Sequence, residues 1–220
     1  MRMRNCRAHT TYRTESGRIV PGVTTVLGII NKPQLVKWAN NLGLKGIDSA
    51  QYVSATARVG TLAHAMIQEH LGGTSVWERS EYAPGEIDLA ENALLKFYEW
   101  EQQAGNVEAI MLETPLVSEI YSYGGTIDFY GVIGGKRWLI DFKTSDNIYV
   151  EHLLQCAAYW KLLCEQDLPV DGVRILRIGR DPVNGYEEKI LCGQEVENYF
   201  HAFDLALQLH RALGILKGGV

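Results

Sequence analysis

Apolar residues recur every three to four positions in several stretches of the chain, which is the period of an amphipathic helix. Two short helices are predicted first. The first is capped by Thr24 or Thr25 and runs to about residue 30, and the second is capped by Asn31 and ends before Gly43. Threonine and asparagine are suitable caps because their side-chain oxygens accept hydrogen bonds from the unpaired N–H groups of the first turn. Longer helices are predicted over residues 49–71, 87–103, 150–165 and 194–216.

Elsewhere the apolar period falls to two, which is the period of a β-strand. The predicted strands cover residues 107–117, 126–133, 136–143, 172–179 and 186–191. A short hairpin is predicted over residues 11–22 and an exposed loop over residues 74–85. The pattern predicts one α/β domain, an α+β mixed sheet flanked by helices, with a mainly helical part in residues 1–105 and a β-β-β-α-β-β-α core in residues 106–220.

The two central strands carry charges that a buried hairpin does not easily tolerate. A Gly-Gly loop at residues 134–135 favours a primed turn, and this turn places Asp128 directly opposite Asp141. Lys143 leaves its strand on the same face as Asp141. Because opposed like charges destabilise a hairpin, the two carboxylates require a cation, and a hard divalent ion suits them. The alternative is a solvent-facing hairpin with ordinary surface charges, which the apolar neighbours on both strands disfavour.

Charge is distributed unevenly along the chain. The net charge is −5, but residues 1–60 contain nine Lys and Arg and two acidic residues, a local charge of +7. This polarity indicates a polyanion-binding surface, with a merely solvated basic face as the alternative. The four cysteines, Cys6 among them, lack metal-ligand spacing and are expected to be reduced in a cytoplasmic protein. No apolar run is long enough to span a membrane, and no signal peptide is predicted.

Further polar candidates lie outside the hairpin. Glu113 provides a carboxylate on the preceding strand, and Gln155 and Tyr159 lie four residues apart on one face of the following helix. His64 provides an imidazole on the third helix, although an isolated histidine is more often a core residue. The chain has no phosphate-binding GxxxxGK[ST] loop, so it is not predicted to be an ATPase or helicase.

Five short motifs occur in a fixed order: GTxxH at 60–64, xExPx around Glu113, GxxD at 125–128, DxK at 141–143 and QxxxY at 155–159. This set resembles the PD-(D/E)XK nuclease superfamily, in particular its RecB-like exonuclease branch, over roughly residues 12–165. Residues 20–28 are also similar to the entry sequence of phage and mitochondrial single-strand-type exonucleases. Ile127 replaces the proline of the family name, and the cysteine spacing of iron–sulfur members is absent.

The resemblance implies a restriction-endonuclease-like core sheet and a site that uses Mg²⁺ or Mn²⁺, as one or two ions, and no iron–sulfur cluster. It assigns the metal ligands to Asp128, Asp141, His64 and the main-chain carbonyl of Phe142, and the catalytic lysine to Lys143. Metal ions in such a site would act as Lewis acids and lower the pKa of a bound water. Imidazole is a better ligand for Mn²⁺ than for Mg²⁺.

The resemblance assigns supporting roles to other residues. Glu113 occupies an acidic position whose role varies, and Gln155 and Tyr159 occupy the helix motif that supports the site and contacts DNA. Trp38 and Tyr52 are candidates for stacking on unpaired bases, but core packing is the expectation for both. Further DNA contacts are expected in the basic N-terminal part and the GTxxH motif, namely Lys32, Lys37, Arg58 and Thr61.

The implied function is a metal-dependent DNA exonuclease that leaves 5′-phosphates, acting in phage-type recombination, replication or repair. Single-stranded or frayed DNA ends are the expected substrates, and a single-strand-binding or annealing protein is a possible partner. Two alternatives stay open at this point: a structure-specific endonuclease on the same fold, and a non-catalytic DNA-binding recombination scaffold. Intact Asp128, Asp141 and Lys143 disfavour the scaffold, since loss of catalysis removes the need for them.

Overall fold

The computed structural model describes residues 10–75, 77–216 and 218. Cys6 and the basic Arg2, Arg4 and Arg7 lie outside the described residues. The elements are β1 Tyr12–Arg13, β2 Ile19–Val20, α1 Val23–Leu27, α2 Pro33–Leu44, α3 Ser49–His70, a 3₁₀ turn Arg79–Glu81, α4 Pro84–Ala104, β3 Val107–Ser118, β4 Tyr123–Ile133, β5 Lys136–Lys143, α5 Val150–Glu165, β6 Gly172–Ile178, β7 Tyr186–Leu191 and α6 Gln194–Leu216.

Strands β3 to β7 form one five-stranded sheet in sequence order. β5 and β6 run parallel, and the other neighbouring strands run antiparallel. The parallel pair needs a long crossover, which α5 provides, whereas short turns are enough for the antiparallel pairs. The predicted fold class, a mixed α/β sheet flanked by helices with a helical N-terminal part, is therefore confirmed.

Helices cover both faces of the sheet. α1, α5 and α6 pack on one face, against residues such as Tyr123 and Leu139, and α3 and α4 pack on the other, against Phe129 and Ile140. Burial of each of these side chains contributes about 1.5–3 kcal/mol to folding. Covering both faces explains why β4 and β5 are almost continuously apolar. No helix in the described part of the chain is long and apolar enough to cross a membrane.

The turn between β4 and β5 has the predicted form. The glycines at 134–135 have φ values of 59° and 77°, the left-handed conformation that a primed turn requires. Ile133 pairs with Lys136, and the ladder continues in this register to the pair Phe129–Ile140. The predicted register is therefore confirmed as far as this pair.

The cap predicted for the first helix is wrong. α1 begins after Gly22, which makes no side-chain cap, and neither Thr24 nor Thr25 precedes the helix. The reason is a long-range contact: the chain at Gly22 bridges to Gly124 of β4, and the N–H of Gly124 donates to the carbonyl of Pro21. This contact fixes Gly22 in an extended conformation and sets the start of the helix.

The second helix also differs from its prediction. Its N-cap is Lys32 and not Asn31, because Pro33 occupies the first turn, where its missing N–H costs nothing. The helix runs through Gly43, and the chain turns at Gly46, where φ is 72°. The helix boundaries predicted from sequence propensity therefore differ from the observed ones by one or two residues.

The segment predicted as an exposed loop, residues 74–85, is only partly a loop. A 3₁₀ turn forms over Arg79–Glu81, and α4 already begins at Pro84. Tyr82 is buried at the end of this turn and joins the core beneath α3 and α4. An aromatic anchor of this kind shortens the exposed part of the connection.

Trp38 and Tyr52 do not lie in the core, so the expectation of core packing is wrong. They are 36% and 44% exposed, and their rings pack edge to face with centroids 5.8 Å apart. α2 has no buried residue at all. The physical reason is that both faces of the sheet are already covered by other helices, so the apolar positions of α2 have no layer to join.

Gly125 of β4 lies where α5 approaches the sheet closely. A Cβ at this position would lie 2.4 Å from Cε1 of Tyr159, whose side chain is buried. We expect Gly125→Ala to lower the free energy of unfolding by about 1–3 kcal/mol, because the added methyl group displaces Tyr159. Urea unfolding measures this change. Gly85→Ala, in the first turn of α4 with nothing within 4 Å of the new Cβ, is the control and should be neutral or slightly stabilising. Equal losses in both variants would contradict this account.

Candidate metal and active site

Glu113 of β3 and Asp128 of β4 face each other at an interruption of the strand ladder. The pairs on either side of them are formed, but the pair between these two residues is missing. Glu113 has a φ of 44°, which is rare for a residue with a side chain and typical of functional sites. The alternation of β4 breaks at the same place, since Ile127 and Tyr130, three residues apart, pack on the same face. The irregular backbone therefore removes both carboxylates from the regular pleat.

α3 brings an imidazole to these two carboxylates. Gly60 allows the helix to approach the end of β5, since a Cβ there would lie 3.0 Å from Oγ1 of Thr144. One turn later, Nδ1 of His64 lies 3.5 Å from Oδ2 of Asp128 and 3.8 Å from Oε1 of Glu113. One ligand atom from each of the three residues lies within 4.8 Å of the other two. Donors that share one ion at about 2.0–2.4 Å have this separation.

Asp141 and Lys143 of β5 form a buried ion pair beside this cluster. Oδ2 of Asp141, a residue only 1% exposed, lies 2.5 Å from Nζ of Lys143. Its Oδ1 accepts no hydrogen bond from the described residues. Burial raises the pKa of Asp141, while Lys143 opposes this rise and the charge of Asp128 reinforces it. The carboxylate is therefore held in an unfavourable, desolvated environment beside the cluster.

The lysine of this pair stays protonated. Burial by itself would lower the pKa of Lys143, but the carboxylates of Asp141 and Asp128 outweigh burial, and the pKa lies above its usual value. A lysine in this state is a hydrogen-bond donor and a fixed positive charge at neutral pH.

The backbone of β5 fixes the position of Asp128. The β4–β5 ladder ends one step before the predicted Asp128–Asp141 pair. In place of a backbone partner, the N–H of Phe142 donates to Oδ2 of Asp128 at 2.9 Å. The ring of Phe142 also packs edge-on against the imidazole of His64, with centroids 6.0 Å apart. Phe142 thus positions two members of the cluster, and the use of its carbonyl as a metal ligand stays a prediction.

Gln155 and Tyr159 lie together on α5 beneath the site. Nε2 of Gln155 donates to the hydroxyl of Tyr159 at 2.9 Å. Burial raises the pKa of Tyr159, and the charge of Asp141 adds to the effect, so the phenol stays neutral. Because Tyr159 is only 5% exposed, its side chain supports the site and offers little surface to DNA.

Two of the predicted DNA contacts have partners within the protein. Nε of Arg58 donates to Oε1 of Glu86 at 2.7 Å, and the guanidinium lies 4.8 Å from the ring centre of Tyr82. These contacts join α3 to the start of α4. The hydroxyl of Thr61 donates to the carbonyl of Ala57 one turn earlier in α3. Both side chains therefore have hydrogen-bond partners within the protein, and their contact with DNA stays a prediction.

Of the two predicted lysines, Lys32 is the N-cap of α2 and Lys37 lies within the helix. Nζ of Lys32 lies 3.1 Å from Oε1 of Glu151, which ties the start of α2 to the first turn of α5. Lys37 is exposed on the outer part of the same helix. Lys32 is therefore already paired with a carboxylate, Lys37 is exposed, and the contact of either lysine with DNA stays a prediction.

His152 of α5 belongs to the surroundings of the site but was not predicted. Burial, together with the positive charge of Lys143, lowers its pKa to about 4. Its Nδ1 accepts the N–H of Tyr149 at 3.2 Å, within the first turn of α5. The sequence signal that points to it is the three-residue spacing from Gln155, which places both on one helix face.

The residues present fit a divalent ion of the Mg²⁺ or Mn²⁺ type. Carboxylate oxygens are the ligands that such ions prefer, and an imidazole is compatible with Mn²⁺. The cluster joins His64 and Asp128 with Glu113, whereas Asp141 lies beside it and is held by Lys143. The predicted ligand set had Asp141 in place of Glu113. Free Cys156, which is buried near Asp141, has a pKa raised by burial and offers no thiolate.

No known protein family and no curated protein matches the chain. Solved structures are similar to the chain only at a low level. A protein described as a putative exonuclease from Eubacterium rectale is 11% identical, with a TM-score of 0.43 over 78% of this chain and 67% of that chain. An alkaline exonuclease from Laribacter hongkongensis is 14% identical, with a TM-score of 0.34 over 75% of this chain and 91% of that chain. At these low values no activity is transferred from either protein.

Proposed function

We propose that this protein is a Mg²⁺- or Mn²⁺-dependent deoxyribonuclease that degrades DNA from an end and leaves 5′-phosphates. The observation that carries the proposal is the convergence of His64, Glu113 and Asp128 beside the buried Asp141–Lys143 pair. Three carboxylates, an imidazole and an ammonium group in one place are costly to a fold, and such concentrations of charge mark functional sites. The order of the five motifs, which resembles that of PD-(D/E)XK nucleases, supports the same activity.

Each residue has a distinct task in this proposal. His64, Glu113 and Asp128 would hold an ion, with Oδ1 of Asp141 as a further oxygen donor. A bound ion supplies positive charge to the phosphate oxygens and makes a bound water more acidic. Lys143, protonated and held by Asp141, donates a hydrogen bond to the oxygen that gains negative charge in the transition state. Because this donor is fixed before the reaction, no reorganisation is needed when the charge develops.

The charge distribution supports a polyanionic substrate. Residues 1–60 carry a local charge of +7, although the whole chain carries −5. Affinity for nucleic acid depends on the local number of phosphate contacts and not on the total charge of the protein. A basic N-terminal part followed by an acidic, metal-binding core is therefore compatible with DNA as the substrate.

A cleavage assay with matched substrates tests the proposal. The substrates are 5′-labelled and 3′-labelled linear DNA, each single- and double-stranded, together with a covalently closed circle, and each is incubated with Mg²⁺, Mn²⁺ or EDTA. We expect both ions to support shortening of linear DNA, EDTA to stop it, and the circle to stay intact. Cleavage of the circle would favour a structure-specific endonuclease, and binding without cleavage would favour a non-catalytic scaffold.

A further inference from the structure

An exposed apolar surface on α2 and the first half of α3 has no role in the chemistry described above. We call it the α2–α3 patch. Every member is at least 36% exposed, although most are large aliphatic or aromatic side chains. Clustered exposed apolar side chains of this kind mark binding surfaces. The members are Leu35, Val36, Trp38, Leu44, Ile47, Tyr52 and Val53.

The two aromatic residues of the patch leave ring faces open. Trp38 and Tyr52 meet edge to face, with an angle of 67° between their planes. The rings therefore do not stack face to face on each other, and 36% of Trp38 and 44% of Tyr52 stay exposed to solvent. Open aromatic faces at a basic surface are the arrangement on which unpaired bases stack, independently of base identity.

The charges around the patch complement a polyanion. From residue 16 to residue 68 the only acidic residue is Asp48. Its carboxylate is already used, because it accepts the N–H groups of Ala50 and Gln51 at the start of α3. Lys37 directly precedes Trp38. Lys45 lies seven residues after Trp38, about two helical turns, and therefore on the side of α2 that carries Trp38. Both lysines are exposed.

The patch lies on the helix that carries a residue of the metal cluster. Tyr52 precedes His64 by twelve residues of α3, which corresponds to about 18 Å along the helix axis. Val53 and His64 are eleven residues apart and share one face of α3, with the small side chain of Ala57 between them. A strand whose phosphate lies at His64 can therefore reach the patch within a few nucleotides.

We propose that the α2–α3 patch binds the unpaired strand of the DNA substrate. Bases stack on Trp38 and Tyr52, and phosphates contact Lys37 and Lys45. This assignment rests on the proposed nuclease function and specifies its substrate as single-stranded DNA or a frayed end. A protein partner would use the aliphatic residues equally well, but a strand of nucleotides uses the open ring faces, the lysines and the lack of unpaired acidic groups together.

Binding measured without cleavage tests the proposal. The probe is a fluorescein-labelled 20-nucleotide oligothymidylate, followed by anisotropy in EDTA, with a duplex of equal length beside it. We expect each of Trp38→Ala and Tyr52→Ala to weaken single-strand binding about 5- to 150-fold, the loss expected for one stacked base. Duplex binding should change much less. Removing both lysines should reduce the slope of log K against log salt by about 1.4.

Two control variants lie away from the patch. Leu209→Ala removes an exposed leucine of α6, and Lys136→Ala removes a lysine at the far end of β5 from Lys143. Neither should change single-strand affinity by more than about twofold, the size of an ordinary surface substitution. Trp38→Phe should keep most of the affinity, because phenylalanine preserves a stacking face.

The outcomes separate this proposal from the nuclease function. Unchanged oligothymidylate binding in the Trp38→Ala/Tyr52→Ala double variant, or no binding by the wild-type protein, overturns the assignment of the patch. If the wild-type protein is a dimer in sedimentation velocity and the double variant is a monomer with unchanged DNA binding, the patch is an interface between copies and the assignment to DNA is overturned. Absence of cleavage with every ion, accompanied by patch-dependent binding of the oligonucleotide, overturns the nuclease function and leaves the patch as a single-strand-binding surface.

Discussion

Replacing Asp128 by asparagine is expected to lower the rate of Mg²⁺- or Mn²⁺-dependent DNA hydrolysis by about a thousandfold, since a catalytic ion contributes several kcal/mol. Asparagine has the same shape and keeps an oxygen that can accept the N–H of Phe142, which now bonds to Oδ2 of Asp128 at 2.9 Å. The substitution therefore removes charge from the cluster without removing the hydrogen bond that positions the residue. Single-turnover rates at saturating DNA, measured across a range of ion concentrations, detect the loss.

Asp146→Asn is the matched control for this substitution. Asp146 follows Lys143 by three residues, but its side chain is 74% exposed and pairs with Arg180 at 3.3 Å. Its removal should change the rate by less than about twofold, because exposed ion pairs contribute little. Urea unfolding of both variants should confirm that they stay folded. An Asp128→Asn protein with wild-type rates and an unchanged ion requirement would exclude this carboxylate as a metal ligand.

The hairpin at the centre of the site could be predicted because its signals are local. Two adjacent glycines select one type of turn, and the turn alone fixes the register of the strands that it joins. The Asp141–Lys143 pairing follows from their two-residue spacing on one strand, and it is present at 2.5 Å. Helices α5 and α6 were also predicted at their observed bounds, since their apolar stripes face a layer of the core.

The composition of the candidate metal cluster could not be predicted in the same way. Glu113 reaches His64 and Asp128 only because the β3–β4 ladder is interrupted and Glu113 adopts a left-handed backbone. No local pattern in the sequence encodes that backbone conformation. The hairpin register and the resemblance assigned Asp141 as a metal ligand together with Asp128, and that assignment stays a prediction.

The exposure of Trp38 and Tyr52 escaped prediction for a related reason. An apolar stripe at helical spacing looks the same whether the helix covers a core or presents a binding surface. Whether such a helix packs on the core or stays at the surface depends on how many faces of the sheet the other helices leave uncovered. Here α1 and α3 to α6 already cover both faces of the sheet. The apolar side chains of α2 are therefore left at the surface, which is the basis of the α2–α3 patch.

The Asp141–Lys143 pair is expected to reduce stability and to serve catalysis, and a pair of substitutions separates the two effects. Lys143→Met alone should abolish hydrolysis and lower the free energy of unfolding by about 3 kcal/mol, because it leaves a buried carboxylate, 1% exposed, without its cation. Asp141→Val combined with Lys143→Met should also be inactive, yet at least as stable as the wild type or up to about 4 kcal/mol more stable, since apolar residues replace two desolvated charges. Urea unfolding in EDTA measures both changes without any contribution from bound metal. A double variant that is less stable than the wild type would mean that the ion pair supports the fold, and that its burial is not a cost accepted for chemistry.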